Sequence, residues 1–142
     1  MTAKDYFHDT VKTALIKDDW SITHDPLFLN FDNSKIQVNL AGGNLISAER
    51  GLQKIAVEVK SFMSPSLVYA FHLALGQCLS YRLALRDQDP GRDLYLAIPD
   101  FAYRDFFRRP FAQSVLNEAK ISLLVFDPSQ EVIVQWIAAA QN

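Results

Sequence analysis

The sequence predicts an α/β (α+β) fold: a mixed sheet with helices on both faces. Three observations carry that reading. Apolar residues recur at helical spacing near the start of the chain, short β-branched runs follow, and a long apolar helix then separates those runs from later strands. With 142 residues, the chain is the size of one domain, taken as 1–142. Hydrophobic residues make up 49% and charged residues 21%, which excludes a disordered chain. No apolar run is long enough to span a bilayer, and Met1 to Asp5 holds no apolar signal core, so the expected address is cytoplasmic with no membrane partner. The single Cys78 excludes an internal disulfide and a cysteine zinc site. A net charge of −2 provides no global attraction to nucleic acid, so any such contact must come from a local patch.

Phe7, Val11, Ala14 and Leu15 lie at helical spacing, so Lys4 to about Asp18 reads as an amphipathic helix. His8 and Asp9 fall on its polar side and read as a solvated face, with an approach of His8 to a site as the alternative. Trp20 to His24 reads as a short strand ended by Asp25-Pro26. Ile36 to Leu40 alternates, with Gln37 and Asn39 on the polar face. Leu45 to Glu49 is a further strand, and Arg50-Gly51-Leu52-Gln53 reverses the chain into the next. These three successive strands suggest an antiparallel meander.

That next strand, Ile55 to Phe62, is the informative one. Ile55, Val57 and Val59 share one face; Ala56, Glu58 and Lys60 share the other. Two opposite charges on a strand that otherwise looks buried either neutralise each other near an edge or form a site. A carboxylate and the carbonyl beside it suit a hard divalent cation, and a neighbouring lysine suits charge developing on phosphate. The bare tripeptide reads first as an ordinary ion pair.

Ser64-Pro65-Ser66 suits a helix cap with proline in the first turn. Leu67 to about Arg86 is apolar nearly all round, predicting a helix packed on more than one side, with His72 as an interior histidine. Gln77 and Tyr81, four apart, share one of its faces. Taken alone they read as a satisfied buried amide and a core aromatic. Leu94 to Ile98 is a buried strand stopped by Pro99. Asp100 to Phe107 is a short aromatic helix, Pro110 opens a helix to Ala119, and Ile121–Phe126 and Val132–Trp136 are the last strands. Arg104, Arg108 and Arg109 stand among Tyr103, Phe106, Phe107 and Phe111, a mixture that suits phosphate contact with base stacking or a protein interface.

Gln-x-x-x-Tyr on the helix after a Glu-x-Lys strand resembles the RecB-type branch of the PD-(D/E)xK nuclease superfamily. The resemblance is closer to one family. Ala3-Lys4-Asp5-x-Phe7-His8, Thr23-His24-Asp25-Pro26, Gln53 to Phe62, Phe71-His72-Leu73-Ala74-Leu75-Gly76-Gln77, Asp127-Pro128 and Val132 to Trp136 resemble the fdxN element excision controlling factor family, XisH. The resemblance spans essentially the whole chain. It implies a restriction-endonuclease-like (tRNA-endonuclease-like) domain acting in DNA-element excision beside a XisI-type companion, with a homodimer as a further expectation.

It also implies a site of Glu58, Lys60 and Gln77, with Tyr81 and His8 as accessories. The superfamily's Asp falls here on Asn39. With Glu58 and Asn39 as the metal ligands, Mg²⁺ or Mn²⁺ binding is expected to be weak and cleavage weak or lost. Glu49 is the candidate substitute carboxylate. Arg104, Arg108 and Arg109 are the expected contacts to nucleic acid or a partner. The alternatives are an active Mg-dependent endonuclease and a non-enzymatic interaction subunit.

Overall fold

The computed structural model describes residues 4–30 and 45–139. Among these, four helices flank one six-stranded sheet. The strands are β1 (Ser21–His24), β2 (Ile46–Arg50), β3 (Gln53–Val59), β4 (Arg92–Pro99), β5 (Ser122–Asp127) and β6 (Val132–Ile137). Their order in the sheet is β1-β2-β3-β4-β5-β6, the order of the sequence. β1, β2 and β3 are antiparallel, β3, β4 and β5 are parallel, and β6 returns antiparallel to β5. An antiparallel meander is present, but its first strand is β1, which pairs with β2, rather than the expected strand at 36–40. The expected strand at 36–40 and its Asn39 lie outside the described residues.

A parallel neighbour requires a long crossover. Helix α2 (Leu67–Gln88) makes the one between β3 and β4, and α3 (Asp100–Ala102) with α4 (Pro110–Ala119) makes the one between β4 and β5. Between these last two helices, Tyr103–Phe107 winds as a π-helical turn. Pro110 stands in the first turn of α4, where its missing N–H costs no hydrogen bond. The Ser66 hydroxyl accepts from the Tyr69 amide and caps α2. Pro65 precedes that cap and so lies outside the helix.

Helix α1 (His8–Lys17) covers one face of the sheet, where Val11 and Leu15 pack on Ile46, Ile55, Val57, Val59, Leu124 and Phe126. On the other face, Phe71, Ala74, Leu75 and Cys78 of α2 meet Leu96, Ile98, Leu123 and Val125, joined by Phe106, Phe107 and Leu116. Along β3, Ile55, Val57 and Val59 enter the first of these cores, while Ala56 on the opposite face packs with Leu29, Leu45, Tyr81 and Leu85.

Two expectations are corrected here. Helix α2 is packed on one side only: Tyr69 is 64% exposed, Leu73 44% and Leu83 59%. The sheet lies on one side of the helix, and no described element covers the other. His72 is on that exposed side and is not an interior histidine. Among the described residues, no helix is long and apolar enough to cross a membrane.

Candidate functional site

β3 delivers Glu58 to the face beneath α2, where it is 1% exposed. Lys60, two residues on, points the same way, and its Nζ lies 3.8 Å from Glu58 Oε1. The parallel register places Glu58 beside Leu96 of β4, and the Lys60 amide donates to the Ala97 carbonyl. Helix α2 contributes Gln77, 4% exposed, and Tyr81, 2% exposed, to the same buried side. The hydroxyl of Tyr81 faces the Glu58 carboxylate.

Burial dominates the electrostatics. It pushes Glu58 up to about 7, against the opposing pull of the Lys60 ammonium; the negative charge of Asp5 adds to the rise, and the Tyr81 hydroxyl opposes it. Oε2 of Glu58 has no hydrogen-bond partner among the described residues. Burial and the nearby Glu58 charge also raise Tyr81, while burial raises the Cys78 thiol, which is therefore an inert packing group.

Asp5 is the residue that sequence reasoning passed over. Its Oδ1 accepts from the Ser61 amide at 3.0 Å, and its Oδ2 accepts from the Phe7 amide at 2.9 Å. A single carboxylate thus ties the start of α1 to the residue following Lys60. In the sequence Asp5 reads as an acidic residue in the first turn of the expected helix, ordinarily a helix-terminus charge, and as one position of the family-like stretch Ala3 to His8. Phe62 follows with φ 55, a left-handed conformation uncommon for an aromatic residue, and packs edge-on against Phe107 at 4.9 Å.

His8 is not on a solvated face. It is 1% exposed, and its Nε2 lies 2.7 Å from Asp25 Oδ1. Lys12 binds the other oxygen of Asp25 at 2.7 Å. Burial works against the charge on Asp25, but hydrogen bonds from Lys12 and His8 outweigh it and hold its carboxyl below the usual range. The partner of His8 is therefore Asp25, 17 residues away, rather than the adjacent Asp9. Asp25 also sits in the expected turn, joined to Pro26 by a cis peptide bond.

Glu49 is not brought to Glu58. It pairs in register with Lys54, four residues before Glu58, which corresponds to roughly 13 Å along β3. Its Oε2 accepts from Arg92 at 3.2 Å. Ser47, pairing with Ala56, is the β2 residue closer to Glu58 on that face, and its hydroxyl bonds Thr23 and His24 of β1.

Arg104, Arg108 and Arg109 are all exposed. Phe106 and Phe107 between them are core residues and present no free ring for stacking, which corrects the expectation for these two, whereas Phe111 is 55% exposed beside the arginines. Arg109 lies over the Phe106 ring at 5.7 Å and donates to the Asp105 carbonyl.

The donor set near Glu58 does not make a Mg²⁺ or Mn²⁺ centre among the described residues. No group of three or more His, Cys, Asp or Glu side chains converges. Glu58 is a single carboxylate beside an ammonium, with a proton competing for it near neutral pH. Asn39 lies outside the described residues. The arrangement stores a carboxylic acid and a cation together beneath a helix.

These features define a class: mixed-sheet α+β proteins with an internal glutamate–lysine pair at the end of a parallel strand. Within that class the chain belongs to the XisH family; the XisH protein family profile matches residues 1–134. An XisH family protein from Nostoc punctiforme PCC 73102 has a similar solved structure, with TM-score 0.86 and 46% identity over 94% of this chain and 99% of that one. A fdxN element excision controlling factor protein from Anabaena variabilis is similarly close, with TM-score 0.85 and 48% identity over 92% of this chain and 97% of that one. No functionally curated protein matches the chain.

Proposed function

We propose that this chain is an excision controlling factor that binds DNA through a divergent PD-(D/E)xK-type fold in which cleavage is weak or lost. The observation that carries this reading is the state of Glu58: buried, raised to about 7 and set 3.8 Å from Lys60. A strand-borne glutamate and lysine under a helix carrying Gln77 and Tyr81 fit a nuclease-derived scaffold. The proton on Glu58, with Asn39 in the expected Asp position, fits a site that holds metal poorly.

The basic contact is assigned to Arg104, Arg108 and Arg109. The Phe62–Phe107 contact supports it, since it ties the residues after Lys60 to the turn that carries these arginines. DNA-element excision as the setting is supported by the likeness to the Anabaena variabilis excision controlling factor.

The test is binding of a labelled DNA duplex over a salt series, beside plasmid nicking with Mn²⁺. Binding that weakens with salt, with little nicking, is the expected result. Failure to bind DNA or RNA at low salt overturns the proposal. Robust nicking abolished by Glu58→Ala would instead establish an active metal-dependent endonuclease.

A second reading is favoured by the outward side of α2. Tyr69, Leu73, Leu79 and Leu83 are exposed at helical spacing, which makes an apolar stripe suited to a protein partner. The partner is a XisI-type companion. Co-purification abolished by Leu73→Asp and Leu83→Asp supports this reading; a strictly monomeric species that ignores the companion eliminates it.

A further inference from the structure

At the opposite end of the sheet from Glu58, a cavity of about 360 Å³ opens beside the first residues of β3 and β4. That volume is in the range of small-ligand sites. Trp20, Tyr95 and Trp136 form its aromatic wall: Tyr95 meets Trp136 edge-on at 4.9 Å, and Trp20 lies 5.6 Å from Trp136. Arg50, Lys54 and Asp93 supply its charges.

The charges are unequally satisfied. Arg50 is bound to Asp18 at 3.0 Å, and Lys54 to Asp89 at 2.6 Å. Asp93 makes no ion pair among the described residues, although it is two residues from Tyr95 on the same face of β4. The unanswered charge at the cavity is therefore negative. Aromatic faces carry negative quadrupole density and attract cations. The chain already illustrates this affinity, because the Arg50 guanidinium sits 4.6 Å above the Trp20 ring.

We infer that this cavity binds an organic cation, a guanidinium or alkylammonium group, between the rings of Tyr95 and Trp136 and the Asp93 carboxylate. The cation comes either from a free small molecule or from an arginine or lysine side chain of a partner. The site is independent of Glu58 and of any nuclease ancestry.

The chain has two tryptophans, and both line this cavity. Intrinsic tryptophan emission and the two indole N–H signals in an NMR spectrum therefore report on it directly. The probes are agmatine, a blocked Gly-Arg-Gly peptide and sulfate. Agmatine or the peptide is expected to change the emission saturably and to shift an indole signal. Tighter binding of the peptide assigns the cation to a partner chain; tighter binding of agmatine assigns it to a free ligand. Asp93→Asn, an exposed substitution that leaves the core intact, is expected to weaken binding about tenfold. The inference is overturned if neither cation gives a saturable change, if sulfate gives the same change, or if Asp93→Asn binds as the wild type does.

Discussion

Lys60 holds its ammonium 3.8 Å from Glu58 in a place where the glutamate is 1% exposed. Yet the glutamate remains raised to about 7, because loss of water outweighs one cation. The folded state therefore binds a proton at Glu58 that the unfolded chain has already released. Stability from this group is present at acid pH and is lost as pH rises through about 7. Glu58→Gln imitates the protonated form. It should stabilise the protein by roughly 3 kcal/mol at pH 8, several degrees in melting temperature, and by almost nothing at pH 4. Thermal melts of both proteins across that range check the crossover.

Removing the cation should move the same group further. Lys60→Met leaves Glu58 without its main favourable charge, so its carboxyl should titrate above about 7. A carbon-detected NMR titration of labelled glutamate reads the shift. A downward shift would show that Lys60 does not act on Glu58.

Asp25 joins His8 and Lys12 through its two oxygens. Asp25→Asn removes the charge while keeping the shape, and should cost about 2 kcal/mol in urea unfolding at neutral pH. Because the Asp25 carboxyl lies below its usual range, its contribution is present above about pH 4 and is lost as pH falls through its folded value. The wild-type advantage over Asp25→Asn should therefore vanish in strong acid.

Arg92 is a structural hub at the start of β4, with a side chain 7% exposed. It donates to Asp89 at 2.9 Å, to the Ile55 carbonyl at 3.0 Å and to Glu49 at 3.2 Å. Arg92→Met should destabilise the fold by about 3 kcal/mol, since it takes this donor from the Ile55 carbonyl and Glu49 and leaves Asp89 with Lys54 alone. Glu49→Gln should cost about 0.5 kcal/mol, because the Glu49 side chain is 41% exposed. Denaturant unfolding separates the two.

If the three exposed arginines touch phosphate, replacing Arg104, Arg108 and Arg109 by Ala should weaken DNA binding without favouring any sequence. The slope of log affinity against log salt should fall by about one for each phosphate that is no longer neutralised. An unchanged slope would remove these residues from the DNA interface.

The strand periodicity was the most legible signal. Alternation along Ile55 to Lys60 placed Glu58 and Lys60 on one face, and the structure has them there. The turn at Arg50 to Gln53, the proline start of α4 and the positions of the later strands along the chain were equally readable, because each depends on neighbours in sequence. Long-range pairing was not readable. Nothing near His8 announces Asp25, and nothing in the apolar run of α2 says which residues the sheet leaves uncovered. Phe106 and Phe107 looked like stacking platforms beside arginines, whereas the π-helical turn directs them into the core. Glu49 was a plausible ligand by composition, but register sets it beside Lys54. Asp5 escaped notice because its partner, the Ser61 amide, is 56 positions along the chain.

The sheet order repeats the chain order from one edge to the other. Among the described strands, none has to be threaded between two that are already paired. In this topology the neighbour of each successive described strand is the strand that precedes it in the chain, and the crossover helices lie between the strands whose faces they cover. The described strands can therefore be added to the sheet in the order in which they are synthesised, with β6 joining last as an edge strand.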